Sequence, residues 1–321
     1  MMKPAIAIVG CGRMGLIRAK ALKCVNHRVR YVFDVDSNRA SQVADIHNSR
    51  AVASLAEMNW SGLDAVFVCT PPSDRAAMEI ATRLDKHVFV EKPIHLSARH
   101  SLSLLGMTLP RDRIFAVGYM NRYRSSIEEV RKRIEGMPIL GFQAHWICKP
   151  YMVPWWADPA QSGGPLNEQA THVVDLIRYL LGEVDQVTAI QGISDSNTIS
   201  IMLRMQSGYI GSFIYSCSAT KKDIGLHLFT QDTPIVLNGW DFYLSDAPWQ
   251  ISTIQGQSSE DAFLSETKSF LDAVESGDTQ AVRSPFADAF KTQVVVDCIR
   301  NSLRLGTRVT VEAYREELDA L

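Results

Sequence analysis

The chain has 321 residues, a formal net charge of −2, 46% hydrophobic residues and 21% charged residues. These values are typical of a globular protein, and the length suggests about two domains. The sequence lacks a basic block and any apolar run near the roughly twenty residues that cross a bilayer, which argues against nucleic-acid binding and a membrane span. Six scattered cysteines without metal-ligand spacing, and a first strand that begins near the N-terminus, predict a cytoplasmic protein with reduced thiols and no signal peptide.

The first apolar run, residues 5–9, leads into a glycine-rich turn, Gly10-Cys11-Gly12-Arg13-Met14-Gly15. In this spacing the glycines permit a sharp turn, a close approach of the backbone to a pyrophosphate, and close packing of the next helix. That helix is predicted to pack through Met14, Ile17, Ala21 and Cys24, and its N-terminus favours a phosphate. The sequence therefore predicts a dinucleotide site.

Cys11 lies at this predicted helix N-terminus, and two interpretations are open. The helix end would lower the pKa of the thiol and make it reactive. Alternatively, Cys11 is simply a small residue between two glycines, and this second interpretation is favoured.

The second apolar run, residues 29–33, ends at Asp34, nineteen residues after Gly15. A carboxylate at this place accepts hydrogen bonds from an adenosine ribose and repels a 2′-phosphate, so the sequence favours NAD. Arg39 is a nearby cation that would accommodate the phosphate, and NADP stays an alternative.

Apolar runs at 65–69, 87–90 and 114–117 alternate with predicted helices at 37–47, 74–84 and 97–105. This alternation predicts an α/β fold with a doubly wound parallel sheet, whose ligands bind beyond the carboxyl ends of the strands. Three segments follow strands there and are expected to border one crevice: Thr70-Pro71-Pro72, Glu91-Lys92-Pro93 and 119–123. The predicted cofactor residues are Gly10, Cys11, Gly12, Arg13, Met14, Gly15, Asp34, Thr70, Pro71, Glu91 and Lys92.

The pattern changes after a predicted helix at 125–135. Short connections predict mostly antiparallel neighbours. We expect a dinucleotide-binding domain over 1–120 and an α+β domain over 121–321. Strands are predicted at 141–147, 184–190, 198–205, 209–216, 224–230 and 235–238, and helices at 166–181, 261–276 and 286–305.

Three residues are the candidate catalytic groups. Lys92 follows a buried strand, and a partly desolvated lysine beside a nicotinamide would exchange a proton with a hydroxyl, although a solvated charge is the alternative. Glu168 and His172 are four residues apart on one helix face, which suits proton shuttling. Their alternatives are an exposed ionic pair on a surface helix or two ligands of a metal site, for which no third ligand is nearby, so no metal is expected.

These motifs resemble the glucose-fructose oxidoreductase / inositol dehydrogenase / rhizopine-catabolism (Gfo/Idh/MocA) family of oxidoreductases. The likeness covers nearly the whole chain, and its specific part is Glu91-Lys92-Pro93 combined with a downstream Gly163-Gly164 and His172-x-x-Asp175. It also includes the glycine turn, Asp34, Cys69-Thr70-Pro71, Lys86-His87-Val88 and Trp155-Trp156-Ala157-Asp158.

The resemblance implies a Rossmann domain followed by a domain with a large, open, mostly antiparallel sheet that often forms a dimer interface. It implies hydride transfer between a nicotinamide and the secondary alcohol or ketone carbon of a sugar, sugar derivative or cyclitol, in a homodimer or homotetramer. Lys92 matches the family lysine, and His172 matches the catalytic histidine that Glu168 would orient. The expected substrate contacts are Asn121, Arg122, Tyr123, Trp155 and Trp156; for the two tryptophans, a lid or an interface is the alternative to stacking on a sugar ring.

The chain departs from the family pattern at a few positions that bear on the substrate. Glu168 stands where many members have Asp, Ala170 replaces a frequent glycine, and Arg75 stands where a histidine often occurs. Arg124-Ser125 replaces a pair that often includes proline. Two other functions stay open: a cofactor-sensing regulator without catalysis, and a sugar-modifying enzyme with transient oxidation and no net redox change.

Overall fold

The computed structural model describes residues 3–105, 113–195, 197–245 and 258–320. The chain forms two compact units. The first comprises Met1–Leu96, His100–Tyr123 and Ser259–Ala289, and the second comprises Ser97–Arg99, Arg124–Ser258 and Phe290–Leu321. The functional division at residues 120 and 121 stays a prediction.

The first unit contains a six-stranded sheet in the order β3-β2-β1-β4-β5-β6, in which every pairing is parallel. This confirms the predicted doubly wound sheet. The order reverses direction between β1 and β4, and such a switch point is where ligands bind in open α/β sheets. The strands are β1 Ile6–Val9, β2 Val29–Phe33, β3 Arg50–Ala51, β4 Ala65–Val68, β5 His87–Val90 and β6 Phe115–Val117. The helices are α1 Arg13–Cys24, α2 Ser37–His47, α3 Ala76–Arg83, α4 Ala98–Leu105 and, later in the chain, α9 Ser259–Ser276.

The central strands are buried on both faces, since all four residues of β1 and of β4 are buried. Continuous apolar runs are typical of parallel strands that helices cover on both sides. Phe67 of β4 stacks on Phe89 of β5 at 5.0 Å between ring centroids, and Phe270 of α9 meets Phe67 edge-on at 5.3 Å. The helix at 259–276 therefore completes the core of this unit.

The predicted packing face of α1 was wrong at Cys24, the last residue of the helix. Cys24 is exposed, and the helix buries Gly15, Arg18, Ala19, Ala21 and Leu22. A close contact at Gly15 sets the rotation of the helix, and Arg18 then points inward because buried carboxylates pair with it.

The second unit contains an eight-stranded sheet in the order β13-β12-β11-β7-β10-β9-β8-β14. Strands β7 and β10 pair in parallel, and the other described pairs are antiparallel, which confirms the mostly antiparallel prediction. The strands are β7 Ile139–Ile147, β8 Val184–Gln191, β9 Thr198–Met205, β10 Ile210–Ser216, β11 Asp223–Thr230, β12 Ile235–Asn238, β13 Tyr243–Ser245 and β14 Val309–Thr310.

One face of this sheet is covered and the other is open. On β9, Ile201 and Leu203 are buried while the alternating Met202 and Arg204 are exposed. The remaining helices are α5 Ser125–Arg133, α6 Pro154–Ala157, α7 Pro159–Ser162, α8 Thr171–Leu181, α10 Phe286–Leu305 and α11 Val311–Asp319. The predicted helix at 166–181 begins as a π-helical turn, Leu166–Ala170, and ends at Gly182 as expected.

Candidate active site

Two glycines of the turn after β1 allow the backbone to pack closely. Gly10 has φ +88°, and a Cβ there would lie 2.6 Å from the carbonyl carbon of Cys69. A Cβ on Gly15 would lie 2.0 Å from the carbonyl oxygen of Gly10. No side chain fits at such distances, so these glycines let β1, the end of β4 and α1 meet.

The third glycine, Gly12, faces open space. A Cβ there would meet no atom within 4 Å, and Gly12 caps α1 without a side-chain hydrogen bond. The first helical bond runs from the Leu16 N–H to the Gly12 carbonyl at 2.9 Å, so the N–H groups of the three residues before Leu16 precede the helical ladder. A helix N-terminus with an open approach fits the pyrophosphate of a dinucleotide.

Asp34, directly after β2, supports the same turn. Its Oδ2 accepts a hydrogen bond from the Cys11 N–H at 2.6 Å, and its Oδ1 accepts one from the Asp36 N–H at 2.8 Å. A carboxylate accepts about four hydrogen bonds, so capacity remains for ribose hydroxyls. Asp34 therefore fits the predicted ribose contact and also holds the glycine turn.

Cys11 does not have the chemistry of a reactive thiol. Burial and the neighbouring Asp34 raise the pKa of its thiol to about 12, so the thiolate is scarce at neutral pH. The reactive interpretation is therefore wrong. The side chain is a small buried group whose Sγ lies 3.5 Å from the carbonyl oxygen of Phe33.

Lys92 is half-buried at the end of β5, between the buried Glu91 and Pro93. The Glu91 carboxylate accepts a hydrogen bond at 2.7 Å from Arg18, which also pairs with Glu266 at 2.5 Å. Burial alone lowers the pKa of Arg18, but the two carboxylates outweigh it and raise the pKa above its ordinary value. This buried triad holds the Glu91 side chain inside the unit, so the cofactor contact predicted for Glu91 would fall to its backbone.

Thr70 and Pro71 lie at the end of β4, beside β5. The Thr70 hydroxyl donates to the Asp74 carbonyl at 2.5 Å, which closes the turn that precedes α3. The buried Arg75 donates to main-chain oxygens of this turn and of the segment after β5. The glycine turn, Asp34, Thr70, Pro71 and Lys92 thus all follow strands at the carboxyl ends of this parallel sheet.

Asn121, Arg122 and Tyr123 are all buried in a 3-10 turn, Met120–Tyr123. Arg122 donates to the carbonyl of Arg283 and pairs with Asp288, both at 2.6 Å, and the Tyr123 hydroxyl accepts from the Arg283 N–H at 2.9 Å. These bonds tie the turn to the segment before α10 and to the first turn of that helix. The predicted substrate contacts of the three residues stay predictions.

Glu168 and His172 lie on the π-helical turn and the first turn of α8, in the second unit. Their exposed fractions are 3% and 7%, so the alternative of an exposed ionic pair is wrong. The His172 ring stacks on the indole of Trp146 at 5.3 Å between centroids, with 12° between the planes. A π-helical turn is uncommon and frequently occurs at a functional site.

Hydrogen bonds fix the rotation of this helix. Gln169 Oε1 accepts from the Tyr215 hydroxyl at 2.7 Å and from the Cys148 thiol at 3.1 Å. Asp175 accepts from the Thr292 hydroxyl at 2.9 Å. Burial raises the pKa of Tyr215, which keeps its hydroxyl a donor at neutral pH. Because Gln169 is tied to the sheet, the π-helical turn that carries Glu168 is held against the sheet.

Trp155 and Trp156 form the short helix α6. Trp156 is buried and meets Tyr151 edge-on at 5.6 Å, whereas Trp155 is half-buried. The buried Trp156 has the packing of a structural residue, and Trp155 is the one with surface to offer a ligand. Their substrate contacts stay predictions.

Comparison with known proteins gives the family. Residues 5–119 match an oxidoreductase family with a NAD-binding Rossmann fold, and residues 139–235 match the GFO/IDH/MocA C-terminal domain. The chain belongs to the Gfo/Idh/MocA oxidoreductase family. The first unit of this oxidoreductase is therefore a NAD-binding Rossmann domain, as the glycine turn predicts.

This oxidoreductase is similar to several inositol and sugar dehydrogenases. It is 26% identical to the myo-inositol 2-dehydrogenase of Thermotoga maritima over 86% of this chain and 90% of the relative. It is 30% identical to the scyllo-inositol 2-dehydrogenase (NAD(+)) of Bacillus subtilis over 58% of this chain and 56% of the relative. The fold matches levoglucosan dehydrogenase in complex with NADH and levoglucosan with a TM-score of 0.84, at 19% identity over 96% of this chain and 99% of that structure.

The sequence did not predict the roles of Trp146 and Arg75. The inward position of Trp146 follows from the alternation of β7, in which Phe142, Ala144 and Trp146 are buried, but its partner comes from a distant helix. No local sequence pattern indicates the role of Arg75, because its hydrogen-bond acceptors are main-chain oxygens of two separate loops.

Proposed function

We propose that this chain catalyses hydride transfer between NAD and the secondary alcohol or ketone carbon of a sugar, sugar derivative or cyclitol. Membership of the NAD-binding oxidoreductase family supports the reaction class. The names of its relatives, inositol 2-dehydrogenases in particular, support the substrate class. Asp34 supports NAD over NADP, because its carboxylate would repel a 2′-phosphate.

The observation that carries the proposal is the place of Lys92 in the first unit. It lies two residues after the end of β5. In the parallel sheet, β5 is two strands away from β1, which leads into the glycine turn, and the switch point lies between β1 and β4. Ligands of such sheets bind beyond these strand ends. Lys92 matches the lysine that the family resemblance implies, and it is half-buried rather than fully solvated.

We assign proton transfer to residues of this chain. His172, oriented by Glu168 and assisted by Lys92, takes the hydroxyl proton, and the charge of Lys92 suits stabilisation of a developing alkoxide. Bound NAD supplies the hydride acceptor. The burial of Glu168 and His172 supports their roles, because side chains shielded from water interact more strongly with a bound hydroxyl group. Among the described residues, no group of three His, Cys, Asp or Glu side chains is placed to hold a metal ion.

We also propose that Asn121, Arg122, Tyr123, Trp155 and Trp156 contribute to substrate binding. The support is the family resemblance for the turn at 121–123 and the exposed surface of Trp155. The tested variant is Trp155→Ala, which is expected to raise KM for the substrate with little change in NADH affinity.

The protein is proposed to work as a cytoplasmic homodimer or homotetramer that associates through the open face of the second unit's sheet. Six free cysteines support a reducing compartment. No described helix is long and apolar enough to cross a membrane. The open face supports association because it exposes several large apolar side chains: Leu140, Ile190, Met202, Ile210, Ile214 and Phe229. Light scattering of Met202→Asp tests this, and a mass equal to that of the unchanged protein would contradict it.

The experiment that tests the reaction is a fluorescence titration with NADH and then NADPH, followed by an absorbance screen. Sugars, cyclitols and their keto forms are offered with the matching cofactor. We expect tighter binding of NADH and cofactor turnover with at least one polyol. Binding without turnover on any compound would contradict the proposed reaction, and equal affinity for NADPH would contradict the role of Asp34.

A further inference from the structure

Arg75 lies at the start of α3 with only 3% of its surface exposed. Its Nε donates to the Ile94 carbonyl at 2.6 Å, and one terminal nitrogen, Nη2, donates to the carbonyls of Pro93 at 2.6 Å and Glu91 at 3.3 Å. These acceptors belong to the segment after β5. The oxygens of Glu91 and Pro93 flank Lys92 on both sides.

The other terminal nitrogen, Nη1, contacts the loop after β4. It donates to the Thr70 carbonyl at 2.8 Å and to the Pro71 carbonyl at 3.1 Å. One planar guanidinium therefore bonds two neighbouring loops at the carboxyl ends of the sheet. Both loops contain residues assigned above to the cofactor and to proton transfer.

We propose that Arg75 is a positioning residue that holds Lys92 in its working place by joining the loop after β4 to the segment after β5. The inference rests on the proposed function, because it gives Lys92 a chemical role. The guanidinium suits this task, since it presents five N–H donors in a fixed plane and keeps its charge at every physiological pH. A lysine ammonium has three donors on a flexible stem and does not span both loops at once.

The surroundings explain why the backbone around Lys92 needs this support. Glu91 is also held through its side chain by Arg18, so the residue before Lys92 is fixed at two places. After Lys92, the oxygens of Pro93 and Ile94 both accept from Arg75 at 2.6 Å. Removal of the guanidinium would leave the following segment without these two bonds and would expose buried carbonyl groups without their donor.

The first test measures Lys92 without any substrate. Competitive acylation by acetic anhydride, read by peptide mass spectrometry, gives the rate of Lys92 relative to the exposed Lys20 in the intact protein. In Arg75→Lys the released segment is expected to open more often, so the relative rate at Lys92 should rise severalfold. The matched control is Arg113→Lys: Arg113 donates to the Asp85 carbonyl at 2.6 Å, before β5 rather than after it, and should leave the rate unchanged. An unchanged rate in Arg75→Lys would overturn the proposal.

The second test is a double-mutant cycle on the polyol with the highest turnover in the screen. Arg75→Lys should lower kcat by about 10- to 100-fold, the range expected when a reacting group is misplaced by about 1 Å. NADH affinity should fall by less than kcat, because the bonds of Arg75 described above hold the predicted cofactor residues Thr70 and Pro71 and do not include the glycine turn or Asp34. In a Lys92→Met background the same substitution should lower kcat only slightly further, because the effects of residues that act as a unit are not additive.

The outcomes separate the two proposals. Multiplied losses in the double variant would show that Arg75 supports the fold without acting through Lys92, and would overturn the inference alone. Full turnover in Lys92→Met would overturn the proposed function of Lys92. In that case the acylation rate still decides whether Arg75 holds the segment.

Discussion

The imidazole of His172 lies parallel to the indole of Trp146, with 5.3 Å between ring centroids and 12° between ring planes. Trp146 is 2% exposed and also meets Trp240 edge-on at 5.7 Å. Strand β7 thus supplies, from the covered face of the sheet, a flat aromatic surface for the candidate catalytic histidine. The stacked indole restricts rotation of the His172 ring, because the ring would lose the parallel contact if it turned out of this plane.

The first prediction concerns this aromatic surface. Trp146→Ala should lower the free energy of unfolding by about 3–5 kcal/mol, and Trp146→Phe by less, because the cavity is smaller. Turnover per folded molecule should also fall in both, since His172 loses its full stacking partner. Urea unfolding and steady-state kinetics measure the two effects. Phe213→Ala is the control: Phe213 is buried on the same sheet, and its loss should cost stability without changing turnover.

The second prediction concerns Lys92. Lys92→Met should lower turnover by about 10²- to 10⁴-fold, the usual contribution of a positioned proton-transfer group. NADH affinity should change little, because the fit at the pyrophosphate and ribose comes from the glycine turn and Asp34. Lys86→Met, just before β5, is the control and should behave like the unchanged protein. Equal turnover of Lys92→Met and Lys86→Met would remove Lys92 from the mechanism.

The third prediction separates the two uses of glycine in the turn. Gly12→Ala should leave the melting temperature nearly unchanged, because its Cβ would meet no atom within 4 Å and its φ of −70° suits any residue. NADH affinity should nevertheless fall, since the methyl would occupy the approach of the pyrophosphate. Gly15→Ala should instead destabilise the fold by about 1–3 kcal/mol or more, because its Cβ would lie 2.0 Å from the Gly10 oxygen. Thermal melting and NADH titration of both variants check this contrast. Unchanged NADH affinity in Gly12→Ala would refute the assignment of its open space to the cofactor.

The fourth prediction concerns pH. Burial, then the charge of Arg75, then His100 lower the pKa of His95 from 6.5 to about 4. Between these values the unfolded chain binds a proton that the folded chain does not, so the free energy of unfolding falls as pH falls from about 6.5 to about 4. Above pH 6.5 His95 is neutral in both states and adds no pH dependence.

In His95→Asn, the free energy of unfolding measured with urea should decline less between pH 7 and pH 5, because the contribution of His95 is absent. Burial also lowers the pKa of His47, so a shallower decline in the same direction should remain. An unchanged slope in His95→Asn would contradict the assignment.

Much of the first unit was predictable from sequence. The glycine turn, the buried apolar runs and the helices between them are local patterns, and the strands at residues 65 and 87 begin where the pattern places them. The strands at 198–205 and 235–238 and the helix at 286–305 also match their predicted bounds. The short strands at 50–51, 243–245 and 309–310 were missed, because two or three paired residues carry too little pattern. The helix at 311–319 was also missed, because it buries only Val311 and Leu318 and so has little apolar periodicity.

The sequence by itself determined the predicted cofactor residues, since the spacing of Gly10, Gly12 and Gly15 and the acid at Asp34 express steric and electrostatic needs of a few neighbouring residues. Only the tertiary structure decided the partners of the buried arginines and of Trp146. Arg75 joins loops after two different strands, Arg18 pairs with carboxylates 73 and 248 residues away, and Trp146 stacks on His172 of a separate helix. Such contacts depend on chain topology, and the rotation of α1 that buries Arg18 and exposes Cys24 is set by packing at Gly15 rather than by the apolar spacing of the helix.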